Sequence, residues 1–319
     1  MLGDGIEMRL LSFFCFFFTL CAVHAAASGI VSETAESIRY RQPDGLEVTL
    51  PKHPKRVVIG YGSLVPVWYC AGGTAAAIPD IHSKTALPPE ARSLPAVGFF
   101  SSLNTEKILE IKPDLVVLMG KLGSHVRLRE LLATMKIPAF TVKYDNYRDF
   151  EALLDLFCRL NNTDPERCEA ARTVTEGVNR IIARIRGLPS PRFCTVFAQA
   201  AGFRAETDLA NTSCMLSMLG GKNTVPPSDG LRTGFSIEQL LLDNPDVIFV
   251  VMMGNNKALE KKFRHEIMSQ KAWRELDAHR TGRVHFLPSD LYLYLAGPRF
   301  PEAFLHLAQL LYPGREFAR

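Results

Sequence analysis

The segment Leu103-Asn104-Thr105-Glu106-Lys107-Ile108-Leu109-Glu110-Ile111-Lys112-Pro113-Asp114-Leu115-Val116-Val117-Leu118 contains five signals in order. They are a polar cap, an acid in the first helical turn, an apolar-faced helix, a Pro-Asp break and a buried strand. The same order returns in Phe235-Ser236-Ile237-Glu238-Gln239-Leu240-Leu241-Leu242-Asp243-Asn244-Pro245-Asp246-Val247-Ile248-Phe249-Val250. Glu106 and Glu238 stand 132 positions apart, and so do the two Pro-Asp pairs. Proline cannot extend the helix before it, so both copies stop at the same place. Spacing kept that strictly implies two similarly built lobes, each carrying one helix–strand unit in an equivalent position.

Outward from these units, strands alternate with helices. Residues 55–60 read as a strand, 63–70 as a helix stopped by Gly72-Gly73, 75–78 as a small strand, 127–135 as a helix and 137–142 as a strand. That alternation is the signature of parallel sheet with crossover helices. The lead-in, 28–53, leaves room for one hairpin. From Tyr147 the pattern turns helical, over 149–160 and again over 165–186, with no strand between. Asp164-Pro165 reads as a cap followed by proline at the first helical position. The second run is about 22 residues, roughly 33 Å, long enough to cross a domain. Strand, helix and strand then resume from Arg192 to a closing helix at 301–311.

With 319 residues and 47% apolar content, the chain can bury one large core or two ordinary ones. At its start Arg9 precedes an apolar run from Leu10 to Val23, followed by Ala25-Ala26-Ala27. This order fits a cleaved export signal, and the run is short for a membrane span. Cys15 follows Phe14 and Cys21 follows Leu20, a poor match to a lipoprotein signal, so no lipid anchor is expected. Loss of Asp4, Glu7 and Arg9 with the signal moves the formal charge from +4 to +5. The basic residues are scattered, which gives nucleic-acid binding no support. Five cysteines remain after the signal, without C-x-x-C spacing. Cys158 and Cys168 flank the 161–165 turn, and an exported chain leaves two readings open, a local bridge between them or five buried, idle thiols. The Gly-rich phosphate loop and G-x-S-x-G elbow of common doubly wound enzymes are missing.

Several pieces, in register, resemble the solute-binding proteins of bacterial ABC importers for ferric siderophores, cobalamin and haem. They are Pro54-Lys55-Arg56-Val57-Val58, Pro95-Ala96-Val97-Gly98, Lys112-Pro113-Asp114-Leu115-Val116, Leu219-Gly220-Gly221-Lys222-Asn223, Asn244-Pro245-Asp246-Val247-Ile248, and Trp273 through Gly282-Arg283-Val284. The resemblance spans about residues 53–313 and implies two α/β lobes joined by one long helix, with a ligand cleft between them. The expected division is a signal peptide at 1–26, an amino-terminal lobe at 27–148, connecting helices at 149–188 and a carboxyl-terminal lobe at 189–319. It also implies a periplasmic monomer that catalyses nothing, needs no cofactor, and delivers a small metal chelate to a permease dimer with its ATPase.

In similar proteins an acid on each lobe is offered to the permease. Glu106 and Glu238 hold those places, although a first-turn acid also suits the helix dipole. The cleft should lie at the carboxyl ends of the strands. The expected ligand contacts there are Tyr61, Phe99, Phe100, His125, Arg232, Tyr292, Tyr294 and Arg299. Phe100 occupies the place, six residues before the first acid, where relatives stack an aromatic on the ligand, and Arg232 stands at the same distance before Glu238. Haem-carrying relatives have a Tyr ligand where this chain has Phe99. For bare metal, only His82 and His125 lie in suitable loops. A ferric siderophore is therefore expected first and cobalamin next. The alternatives are a haem or bare-metal binder, or a sensor or adhesion module on the same fold.

Overall fold

The computed structural model describes residues 28–81, 87–161, 168–254 and 256–317. The export signal, His82, Asp164 and Pro165 lie outside these residues. The lead-in forms a three-stranded antiparallel meander, β1 (Gly29–Glu33), β2 (Ser37–Arg41) and β3 (Glu47–Pro51), rather than one hairpin. The amino-terminal lobe is built on β4 (Val57–Ile59), α1 (Leu64–Cys70), a two-residue hairpin of β5 (Gly98–Phe99) and β6 (Ser102–Leu103), α2 (Thr105–Ile111), β7 (Leu115–Met119), α3 (Gly123–Thr134) and β8 (Ala139–Val142). Its sheet runs β4-β7-β8, all parallel. Residues 75–78 make only isolated bridges, Ala77 to Val58 and Ile78 to Ala96, in place of the expected strand.

Two helices connect the lobes: α4 (Tyr147–Leu160) and α5 (Glu169–Arg184). The second has 16 described residues, about 24 Å, so it is shorter than its sequence pattern suggested. The carboxyl-terminal lobe contains β9 (Arg192–Gln199), β10 (Gly202–Glu206), α6 (Asn211–Met218), β11 (Lys222–Asn223), β12 (Arg232–Gly234), α7 (Ile237–Asp243) and β13 (Val247–Met253). It continues with α8 (Asn256–Phe263), α9 (Lys271–Glu275), α10 (Asp277–Arg280), β14 (Val284–Phe286), α11 (Ser289–Tyr292) and α12 (Phe300–Leu311). Its sheet order is β12-β10-β9-β13-β14, with β11 beside β9 and β10 antiparallel to both neighbours.

One hydrophobic core runs through both lobes. It joins Val57, Leu115 and Phe140 to Phe150, Phe157, Val174 and Ile181 of the connecting helices, and these to Phe193, Phe249 and Phe304. The outer faces of the two sheets have smaller separate cores, around Val116 and Ile108 in one lobe and around Val250 and Trp273 in the other. The connection is therefore part of the packed interior. At Gly177 a side chain would meet the ring of Pro301 at 3.0 Å, which is how closely α5 and α12 approach.

Of the two readings of the cysteines, the structure has the unbridged one: Cys158 and Cys168 are free, buried thiols, as are Cys70, Cys194 and Cys214. Cys168 Sγ donates instead to the Cys70 carbonyl at 3.1 Å, from the end of α1.

Candidate functional site

The repeated unit folds the same way twice. Asn104 Oδ1 accepts from the Lys107 amide at 2.9 Å, and Ser236 Oγ accepts from the Gln239 amide at 3.2 Å, so each helix has a side-chain cap. Each ends on a left-handed residue, Lys112 (φ 51°) and Asn244 (φ 38°), just before its proline. The aspartate that follows ties neighbouring strands. The Asp114 carboxylate accepts from the Lys55 and Arg56 amides at 2.7 and 2.8 Å, and Asp246 accepts from the Arg192 amide at 2.7 Å. These bonds set the starting level of β4 against β7 and of β9 against β13. Glu106 and Glu238 are both exposed in the first turn of their helices. The Glu238 carboxyl accepts from Ser236 Oγ at 2.7 Å, and that bond, with its own amide, holds its pKa below the usual glutamate value.

The β5–β6 hairpin carries the most exposed aromatic pair of the amino-terminal lobe, Phe99 at 52% and Phe100 at 44%. Gly98 enters it at φ 95°, where a side chain would also meet the Ser102 carbonyl at 3.0 Å. Tyr61, just beyond β4, meets the Phe100 ring edge-on, with centroids 5.5 Å apart. A groove of about 350 Å³ lies beside Phe99, lined by Ile78, Pro79, Asp80, Ile81, Leu94 and Ala96.

His125 braces this hairpin from inside and is not a cleft surface as expected. Only 1% exposed, its Nδ1 accepts from the Met119 amide at 3.0 Å and its Nε2 lies 2.6 Å from the Phe100 carbonyl. The amide can only donate, so the ring proton sits on Nε2 and is given to Phe100. Burial pushes the His125 pKa below the ordinary histidine value, with the Phe100 bond acting the other way.

Tyr294 belongs to the same neighbourhood. Its side chain is 65% exposed, and its carbonyl accepts from Ser63 Oγ at 3.1 Å, two residues beyond Tyr61. A second bond between the lobes runs from Asn146 Nδ2, after β8, to the Leu209 carbonyl, after β10, at 3.0 Å. Thus Tyr61 and Phe100 are in ring contact, and Ser63, two residues after Tyr61, ties the Tyr294 backbone of the other lobe to the same loop.

The other expected contacts are committed elsewhere. Tyr292 is buried at 3%, its hydroxyl shared between the Ala303 carbonyl at 3.1 Å and His306 Nδ1 at 2.7 Å. Arg299 is held by Asp290 at 3.0 Å and by both oxygens of Glu302 at 2.8 Å. Arg232 places Nε and Nη2 on Glu206 Oε1 at 3.1 and 2.9 Å, with its guanidinium 3.6 Å over the Phe197 ring. Glu206, which sequence reading passed over, is 2% exposed, and its Oε2 has no partner among the described residues. Burial raises its pKa, and Arg232 opposes the shift. The one signal for it in the sequence is an acid at the end of a short strand, between Ala205 and Thr207.

Residues 57–291 match the family model described as periplasmic binding protein. An uncharacterised ABC transporter substrate-binding lipoprotein of Bacillus subtilis (strain 168), YvrC, is 22% identical over 277 residues, 84% of this chain and 83% of that one. The iron(3+)-hydroxamate-binding protein FhuD of the same organism is 25% identical over 147 residues, 45% of this chain and 44% of that one. Among solved structures, an ABC transporter substrate-binding protein from Listeria monocytogenes EGD-e superposes with a TM-score of 0.71 at 19% identity, covering 82% of this chain and 99% of that one.

Proposed function

The chain belongs to the periplasmic binding protein family, whose members bind substrates and are not enzymes, and from that premise we propose that it captures a metal chelate for an ABC importer. A ferric siderophore is the first candidate and cobalamin the second. The chelate would be held between the lobes and passed to an inner-membrane permease dimer and its ATPase. The observation that carries this reading is the aromatic hairpin. Two phenylalanines stand about half exposed beside an apolar-walled groove, on a hairpin fixed from behind by a buried histidine. Exposed aromatic surface held this rigidly is costly to a soluble protein unless something covers it. A flat or greasy chelate suits it. The iron-hydroxamate relative supports the siderophore class. Phe99 has no oxygen for iron, which counts against haem held as in the Tyr-bearing relatives. The chain would act outside the inner membrane. The B. subtilis relative is named a lipoprotein, so the expectation of an unanchored chain draws no support from it.

Glu106 and Glu238 would meet the permease, one acid per subunit, because they are exposed at matched positions of the two lobes. The test of the whole reading is a thermal-shift panel of ferric siderophores, cobamides and haem on the mature chain. A ligand at a hundred times its Kd stabilises the folded state by about 2.7 kcal/mol. One chelate class should therefore raise the melting temperature by several degrees. No rise with any of them rejects the reading.

A further inference from the structure

Among the described residues, five other than glycine have a left-handed backbone: His53, Lys112, Lys136, Asn244 and Leu295. Lys112 and Asn244 close α2 and α7, and the Lys136 amide bonds the Ala133 carbonyl at the end of α3. Leu295, at φ 57°, is the one apolar member of the set. A bulky side chain is poorly suited to that conformation, because its Cβ crowds the following carbonyl. Helix capping does not account for it. The last bond closing α11 is made one residue earlier, by the Tyr294 amide to the Ser289 carbonyl at 3.3 Å.

The turn at Leu295 separates two neighbours. Leu295 packs against the main core, while Tyr294 is 65% exposed, more than Phe99 or Phe100. The same loop is fastened to the amino-terminal lobe at both ends. Ser63 Oγ donates to the Tyr294 carbonyl at 3.1 Å, and a side chain at Gly297 would come within 3.6 Å of Pro66 in α1. Ser63 is two residues from Tyr61, a span of at most about 7 Å of chain, and Tyr61 meets the Phe100 ring. The Tyr294 backbone is therefore fixed beside the loop whose aromatic touches the Phe100 platform.

A strained backbone persists where the surrounding fold over-determines it, and such residues cluster at ligand clamps. We propose that Tyr294 contacts the chelate from the carboxyl-terminal lobe, and that Leu295 is the positioning residue whose left-handed turn presents it. The inference rests on the chelate-binding reading above. It adds a second contact surface, on the other lobe, and the backbone device that holds it. Leu295 acts through Tyr294 and does not itself touch the chelate, since its own side chain is turned into the core.

The parent is titrated by fluorescence quenching with ferrichrome, ferric enterobactin and cyanocobalamin, and the probe it binds is carried through the variants. Leu295→Asn gives up the apolar side chain but tolerates a positive φ, whereas Leu295→Val stays apolar and resists it. Asn should bind within about threefold of the parent and Val at least about tenfold more weakly. Tyr294→Ala should also lose at least about tenfold, and Tyr294→Phe less than about threefold. Adding Leu295→Val to Tyr294→Ala should cost less than about twofold more, because the two residues act as one unit. A merely structural role for Leu295 would leave the loss from Val undiminished in that background, and this result overturns the inference. So does Val binding within about twofold of the parent, Asn binding as weakly as Val, or Tyr294→Ala binding within about twofold of the parent. Each of these leaves the chelate-binding reading intact. Thermal melts show which variants are folded; if Leu295→Val is not, the two Tyr294 variants and Leu295→Asn decide the matter. A parent that binds none of the three probes removes both the reading and the inference.

Discussion

Replacing His125 by Phe keeps a ring of similar volume and deletes both ring nitrogens. The Met119 amide, at the end of β7, and the Phe100 carbonyl then lose their partners at 3.0 and 2.6 Å. A buried group left unsatisfied costs about 1–3 kcal/mol. The amide is enclosed and takes the upper part of that range, while the carbonyl sits on an exposed hairpin and can recruit water. The expected loss is about 2–4 kcal/mol, or a fall in melting temperature of roughly 4–8 °C for a chain of this size. The hairpin would also lose its anchor, and re-ordering it on binding should weaken chelate affinity about five- to tenfold. His125→Gln can still reach Phe100 with its amide nitrogen and should recover most of the affinity but only part of the stability. Urea unfolding and fluorescence titration of the three proteins measure both quantities. A His125→Phe protein within about 0.5 kcal/mol of the parent, with unchanged affinity, refutes the bracing role.

The same histidine gives a pH dependence. Its folded pKa is depressed by burial, so the stability it contributes is complete above the unfolded value of about 6.5 and is lost as pH falls from there through the folded pKa. His285 and His306, also depressed by burial, add to the slope, and thermal melts from pH 8 to pH 5 should show a steady decline. Charge reversal of Glu106 and Glu238 together should abolish uptake in cells while leaving chelate affinity within about twofold. Lost binding in that double variant would place the acids in the cleft instead. Burial pushes the thiols of Cys70, Cys158 and Cys194 up to about 12, so all three should resist iodoacetamide in the folded protein and react fully in denaturant, as peptide mapping can quantify.

The two-lobed fold was legible because its signal is local and doubled. The cap, acid, Pro and Asp of each unit lie within sixteen residues, and the structure builds both in the same way, down to the aspartate that ties the next strand over. The adjacent Phe99 and Phe100 stood out in the sequence as loop aromatics before the first helix, but the hairpin that carries them did not, because β5 and β6 are two residues each and show no periodicity. What failed needed long-range partners. Arg232 looked available because Glu206, 26 residues earlier, sits on the neighbouring strand only once β10 and β12 pair. His125 looked like a loop ligand, yet α3 begins at Gly123 and turns the ring toward Phe100, 25 residues back. Tyr292 was read with exposed Tyr294, and a short helical turn sends the first inward to His306 and leaves the second outside. The bridged reading of Cys168 with Cys158 rested on proximity in sequence, whereas the fold sets the Cys168 thiol against the carbonyl of Cys70.

The central claim, that the Phe99–Phe100 hairpin is the platform on which a metal chelate rests, is tested most directly by one titration. Phe100→Ala is compared with the parent for the chelate that gives the largest thermal shift, after melts show equal folding. Phe100 is 44% exposed, so its truncation removes little from the core. If it is a central contact, affinity should fall by about 2 kcal/mol, roughly 30-fold. A variant that binds within about twofold of the parent, a difference of about 0.4 kcal/mol, contradicts the claim.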